Sequence, residues 1–195
     1  MDVLDRLQLP LSRSPGDPRP VVVMTWSGKS TLSKAIAERH PSFVRLSGDN
    51  ILHAKHGLYG KDYPPEMYGK YLDEASAEVE ARLTEILDAG RQDVVLDRSL
   101  YSREDREFFK RLIEGKGARW ILVFFQAVSK DVSWKRLQHR RRVGIDADSA
   151  YEITREILDS YWRGFENPEG EGEVVVDVTD DFQGLEGGSN RELDA

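Results

Sequence analysis

The run Val21-Val22-Val23-Met24 is followed closely by Gly28-Lys29-Ser30-Thr31, which opens a helical pattern through Arg39. No other feature restricts the fold as much. An unbroken β-branched run reads as a strand buried on both faces, which occurs where helices cover both sides of a parallel sheet. A helix beginning directly after such a strand turns its unbonded N–H groups and positive dipole end outward, where they suit an anion. Lys29 adds a full positive charge at the same place.

The rest of the chain repeats this alternation. Further strands are predicted at Phe43–Leu46, Val94–Leu96, Trp120–Phe125 and Val174–Val176. Helices are predicted over Ser30–Arg39, residues 66–89, from Ser102 to about Glu114, from Ser129 through Arg142, and over residues 149–163. Ser102 and Ser129 suit N-caps, and Gly90 suits a C-terminal cap. In the 66–89 helix the core-facing set is Tyr68, Tyr71, Leu72, Ala75, Val79, Leu83, Ile86 and Leu87, spaced by three and four. Strands separated by helices specify an α/β fold, a three-layer doubly wound parallel sheet with ligands beyond the carboxyl ends of its strands. Residues 1–19, rich in proline, read as a loosely packed tail, and residues 181–195 as another. Residues 20–180 form one domain.

Composition narrows the function. The chain has 195 residues, a formal net charge of −7 and no cysteine. Disulfides and thiolate metal sites are excluded, and the acidic balance counts against grip on a nucleic-acid backbone. The longest apolar runs fall far short of the roughly 20 residues that span a bilayer. The start of the chain lacks a signal-like apolar stretch, so a cytoplasmic protein without membrane attachment is expected. His53 and His56 read as a solvent-exposed pair rather than metal ligands.

Gly28-Lys29-Ser30-Thr31 matches the end of the phosphate-binding pattern G-x-x-x-x-G-K-[ST] in its required strand-to-helix setting. The amides from Ser27 to Thr31 would cradle phosphate. Lys29 would reach the β- and γ-phosphates of ATP, and the Ser30 hydroxyl would take a place on Mg²⁺. The first glycine is missing. Counting back from Gly28 places Val23 there; alternatively the strand runs through Thr25 and Trp26-Ser27 alone form the loop. Either a degenerate site or a stretch lost from the gene model accounts for this.

Three further groups fall at strand ends. Asp49, in Gly48-Asp49-Asn50 after the second strand, could accept the proton of a substrate hydroxyl or cap a helix. Asp97, closing the third strand, could hold Mg²⁺ directly or through water. It is followed by Arg98 rather than glutamate, unlike hydrolytic motor ATPases, and no D-x-x-G or N-K-x-D marks a GTPase. Arg136 and Arg140 share a helix face in a basic run reaching Arg142, where they could close over a transferring phosphoryl group or form a solvated surface. The stretch from Leu52 to Pro65 has loop character and either borders an acceptor or packs its aromatics.

Taken together, Val21–Arg39, Leu46–Leu52, Val94–Ser99 and Arg136–Arg142 resemble the P-loop kinases that group with zeta toxins and polynucleotide-kinase-type phosphotransferases, also described as AAA-domain ATP-binding proteins. The resemblance covers about residues 20–180. It implies a sheet ordered 2-3-1-4-5 and transfer of the ATP γ-phosphoryl group to a hydroxyl. Lys29 and Ser30 would be the phosphate and magnesium residues, Asp49 the acceptor-activating carboxylate, and Arg136 and Arg140 the lid. A small-molecule kinase is the leading reading. A nucleotide-binding or interaction module with a decayed loop, and a kinase of nucleic-acid 5′ ends, remain as alternatives.

Overall fold

The computed structural model describes residue 7 and residues 11–25, 28–127, 129–149 and 151–178. Its strands are β1 (Pro20–Thr25), β2 (Phe43–Ser47), β3 (Asp93–Asp97), β4 (Arg119–Ala127) and β5 (Val174–Val178). Between them lie α1 (Lys29–Arg39), α2 (Gly48–His56), α3 (Tyr68–Ala89), α4 (Arg103–Gly115), α5 (Lys130–Val143) and α6 (Arg155–Gly164). All pairings are parallel, in the order β2-β3-β1-β4-β5. The predicted doubly wound α/β sheet and its order are therefore present.

Strand alternation divides the core into two layers. Val22 and Met24 of β1 face one side with Leu32 and Ile36 of α1 and Val132 of α5. Val21 and Val23 face the other, with Val79 and Leu83 of α3 and Phe109 and Ile113 of α4. Each buried Val, Leu or Ile side chain contributes about 1.5–3 kcal/mol of transfer free energy, so both layers are needed to hold the sheet. In α3 the buried set is Ala75, Val79, Leu83 and Leu87. Leu72, expected among them, is 39% exposed although its spacing puts it on the same face, because it lies toward the start of α3, before the first buried residue, Ala75.

The local signals mostly act as expected. Gly90 caps α3 in a left-handed conformation. Ser102 and Asp105 form a reciprocal capping box on α4, and Ser129 accepts from the Val132 N–H.

Three readings need correction. The Leu52–Pro65 loop begins later than predicted, since α2 continues to His56 and stops at Gly57, whose φ is +79°. The helix predicted over 149–163 starts only at Arg155, where Thr154 caps it by accepting from Ile157 N–H; Ala147–Ser149 is a separate 3-10 turn. The loose packing expected of residues 1–19 does not hold for its described part. Leu7 and Leu11 are buried, and Arg13 and Arg19 pair with Asp93 at 3.3 and 3.2 Å. The prolines of this stretch do not prevent burial of its described leucines. The stretch 181–195 lies outside the described residues.

Candidate functional site

The start of α1 explains its glycine. Gly28 has φ +102°, a left-handed conformation, and an added Cβ would lie 3.3 Å from Cδ1 of buried Phe125. Only glycine meets both conditions without strain. The first helical bond runs from Leu32 N–H to the Gly28 carbonyl at 3.2 Å, and no side chain caps the turn. The amides of Lys29, Ser30 and Thr31 thus open the helix with the geometry that suits a phosphate. β1 continues through Thr25, so only two residues join the strand to Gly28. Those residues, Trp26 and Ser27, lie outside the described part, and with them the expected phosphate contact of Ser27.

Asp49 occupies the first turn of α2, beyond β2. The cap is Ser47, whose hydroxyl accepts from Asn50 N–H at 3.3 Å, so the capping role considered for Asp49 and Asn50 belongs to Ser47. Asp49 keeps solvent contact, yet the surrounding protein mass desolvates its carboxylate and raises its pKa from 3.8 to about 6. Lys29 opposes this rise, Asp97 and Asp148 add to it, and Arg140 opposes it. A carboxylate so tuned is half-ionised near pH 6 and mostly anionic at neutrality, which suits general-base work.

Asp97 is buried at the end of β3. Its Oδ2 accepts from Ser33 Oγ at 2.8 Å and from Arg45 Nε and Nη2 at 3.2 and 2.5 Å. Arg45 Nη2 also meets Asp148 Oδ1 at 2.5 Å, and Lys34 holds Asp148 Oδ2 at 2.7 Å. Burial works against the Arg45 charge, but Asp97 and Asp148 outweigh it and raise the Arg45 pKa. The serine bonded to Asp97 is thus Ser33, one helical turn beyond Ser30. Ser30 and Thr31 instead line an open cleft of about 250 Å³ with Lys34, Arg140, Asp146 and Asp148.

The basic helix is α5. Arg140 is exposed and electrostatically faces Asp49 and Asp146. Arg136 is half-buried one turn earlier. The aromatics after α2 pack on one another. Tyr59 meets Tyr63, Tyr68 and Tyr151 edge-on at 6.1, 5.4 and 4.9 Å, and Tyr68 stacks on Tyr151 at 4.3 Å. Burial, then the nearby Asp49 charge, raises the Tyr68 pKa. His56 stacks on Tyr71 at 3.6 Å and meets Glu74 at 3.1 Å. Among the described residues, no group of three or more His, Asp or Glu is arranged to hold a metal ion by itself.

Lys29, Asp49, Asp97 and Arg140 therefore lie within electrostatic reach of one another around one end of the sheet. Arg45, Ser33, Lys34 and Asp148 were not anticipated. A charged Arg45 inside a strand that ends at the site was the available signal. Its partner Asp148 lies too far along the chain for spacing to reveal.

The family model described as "AAA domain" matches residues 26–168, well over half of the chain. A search of curated proteins returns no match. Among solved structures, a protein assigned as a kinase from Chloroflexus aurantiacus is similar with a TM-score of 0.62 at 21% identity, over 82% of this chain and 85% of that one. A gluconokinase from Sinorhizobium meliloti 1021 has a TM-score of 0.55 at 25% identity, over 86% of each chain. The APS kinase of Mycobacterium tuberculosis, solved with AMPPNP and APS, has a TM-score of 0.51 at 19% identity, over 86% of this chain and 94% of that one.

Proposed function

We propose that this chain, which belongs to the AAA-domain family and has the fold of P-loop kinases, transfers the γ-phosphoryl group of ATP to a hydroxyl of a small molecule. One observation carries the reading. The Asp49 carboxylate lies where the charges of Lys29 from α1 and Arg140 from α5 converge on it. Lys29, Asp49 and Arg140, from three different helices, thus lie within electrostatic reach of one another, which supports a phosphate-binding lysine, an acceptor-side base and a lid arginine.

Each residue has a defined task. The α1 amides, Thr31 among them, and Lys29 bind and orient the phosphates. Asp49 takes the acceptor proton at a carboxylate oxygen. Arg140, supported by Arg136, neutralises charge on the transferring group. The oxygen donors Ser30 and Asp97 fit Mg²⁺, a hard cation that takes a few protein oxygens alongside substrate phosphates. Ser30 and Asp97 would hold such an ion, with Asp97 also accepting from Ser33 and Arg45. Bound there, Mg²⁺ would neutralise phosphate charge.

Incubation with ATP and Mg²⁺ across a panel of small neutral hydroxyl acceptors, following ADP release, tests the assignment. Lys29→Ala should reduce transfer by about a hundredfold or more while leaving the unfolding midpoint in place. Undiminished transfer by that variant would sink the assignment. A second reading rests on the two-residue connection between β1 and Gly28: a nucleotide-binding module with little catalysis. It predicts nucleotide binding without transfer to any acceptor. The acidic net charge counts against a nucleic-acid acceptor.

A further inference from the structure

Arg45 is bonded to Ser33, Asp97 and Asp148 at the site, and phosphoryl transfer by the residues above leaves it without a task. It projects from β2 across the end of the sheet, and its side chain is only 12% exposed. The two carboxylates it bridges are buried as well, with side-chain exposures of 3% for Asp97 and 5% for Asp148. Arg45 Nε also donates to Ser33 Oγ at 2.8 Å. Asp97 ends β3, Asp148 sits in the 3-10 turn after α5, and Ser33 belongs to α1. One guanidinium therefore ties together three elements around the phosphate cleft.

Two carboxylates held this close and this dry need a cation between them. Hard oxygens in such a pair are also what a divalent cation seeks. The planar guanidinium fork supplies several donors in fixed directions, which a metal or a lysine ammonium would have to displace together.

We propose that Arg45 is the resident cation of this site: it occupies Asp97 and Asp148 and keeps a divalent cation off them until nucleotide phosphates bring one to Ser30. The inference rests on the reading of the cleft as a magnesium–nucleotide site, but it makes a claim that can be tested without nucleotide. In the nucleotide-free chain, Asp97 and Asp148 are already ion-paired with Arg45. Without Arg45, Asp148 keeps Lys34 and Asp97 keeps only the Ser33 hydroxyl, so the buried pair is left one positive charge short and either recruits a cation or destabilises the fold.

The test is titration of Mn²⁺ into the nucleotide-free full chain, following loss of the free-ion electron paramagnetic resonance signal. The wild type should leave Mn²⁺ free over the range in which Arg45→Gln fills one site, a difference of about tenfold or more in affinity. Adding Asp97→Asn to Arg45→Gln should remove that site. Arg45→Lys keeps the charge but not the fork, and should fall between wild type and Arg45→Gln. If Arg45→Gln does not fold, the lysine variant carries the comparison, and Mn²⁺ uptake equal to wild type overturns the proposal. Saturable uptake by the wild type that Asp97→Asn abolishes also overturns it, as does Arg45→Gln with no gain in uptake. A chain that follows the predicted pattern yet shows no calorimetric response to ATP would lose the kinase reading while keeping this one.

Discussion

Asp49 ionises among opposing charges, with Lys29 and Arg140 favouring its anion and Asp97 and Asp148 disfavouring it, while desolvation exceeds each of them. The sign of the result is fixed. The folded protein holds this proton more tightly than the unfolded chain does. The resulting stability is present below pH 3.8 and is lost as pH rises through about 6. Activity runs the other way, because transfer needs the anion. With chemistry limiting, kcat/KM should rise about tenfold per pH unit below a midpoint near 6 and level off above it. Asp49→Asn should remove that limb and lower kcat by about 10²–10⁴-fold. A profile flat across that midpoint would exclude Asp49 as the base. The sequence showed Asp49 and its position after a strand. It did not show which charges would surround it, because Arg140 and Asp148 reach it only through the fold.

At the scale of elements, caps and periodicity were legible because they act within a few residues. Gly90, Ser102 and Ser129 each do what their chemistry predicts. The errors at α2 and α6 have a common source. Each boundary is set by one residue, Gly57 or Thr154, within a stretch whose pattern alone allows another reading. One long-range tie could not be read at all. Arg106 of α4 is 1% exposed and grips Glu171 through two bonds of 2.7 Å, while its Nη1 donates to the Leu100 carbonyl at 3.3 Å. This pins the segment before β5 to α4. Glu171→Gln should therefore lower stability by about 3–5 kcal/mol, seen as an earlier denaturant midpoint, since it strands a buried guanidinium. Breaking the exposed Arg155–Asp131 pair should leave that midpoint nearly unmoved. Equal effects from the two changes would contradict the burial argument.

For the whole molecule, the alternation of strands and helices specified the layers, while the strand order came from the family resemblance rather than from periodicity. The parallel register then explains why the site gathers where it does. β1, β2 and β3 all end at one edge, which places Gly28, Asp49 and Asp97 together. The net charge of −7 says little about that edge, where Lys29, Lys34, Arg45 and Arg140 stand against Asp49, Asp97, Asp146 and Asp148. Glu38 lines the same cleft, so among the described residues the carboxylates more than offset these cations, and an added polyphosphate needs the α1 amides as well as Lys29. Among the described residues no helix is long and apolar enough to cross a membrane. The short connection before Gly28 is the feature on which the account depends most, because a strand that runs through Thr25 leaves so little chain to wrap a phosphate. Calorimetric titration of the full chain with ATP and Mg²⁺, wild type beside Lys29→Ala, meets that point directly. The account predicts saturable one-site binding by the wild type that is lost in the variant; no heat from the wild type, or equal binding by both, would contradict it.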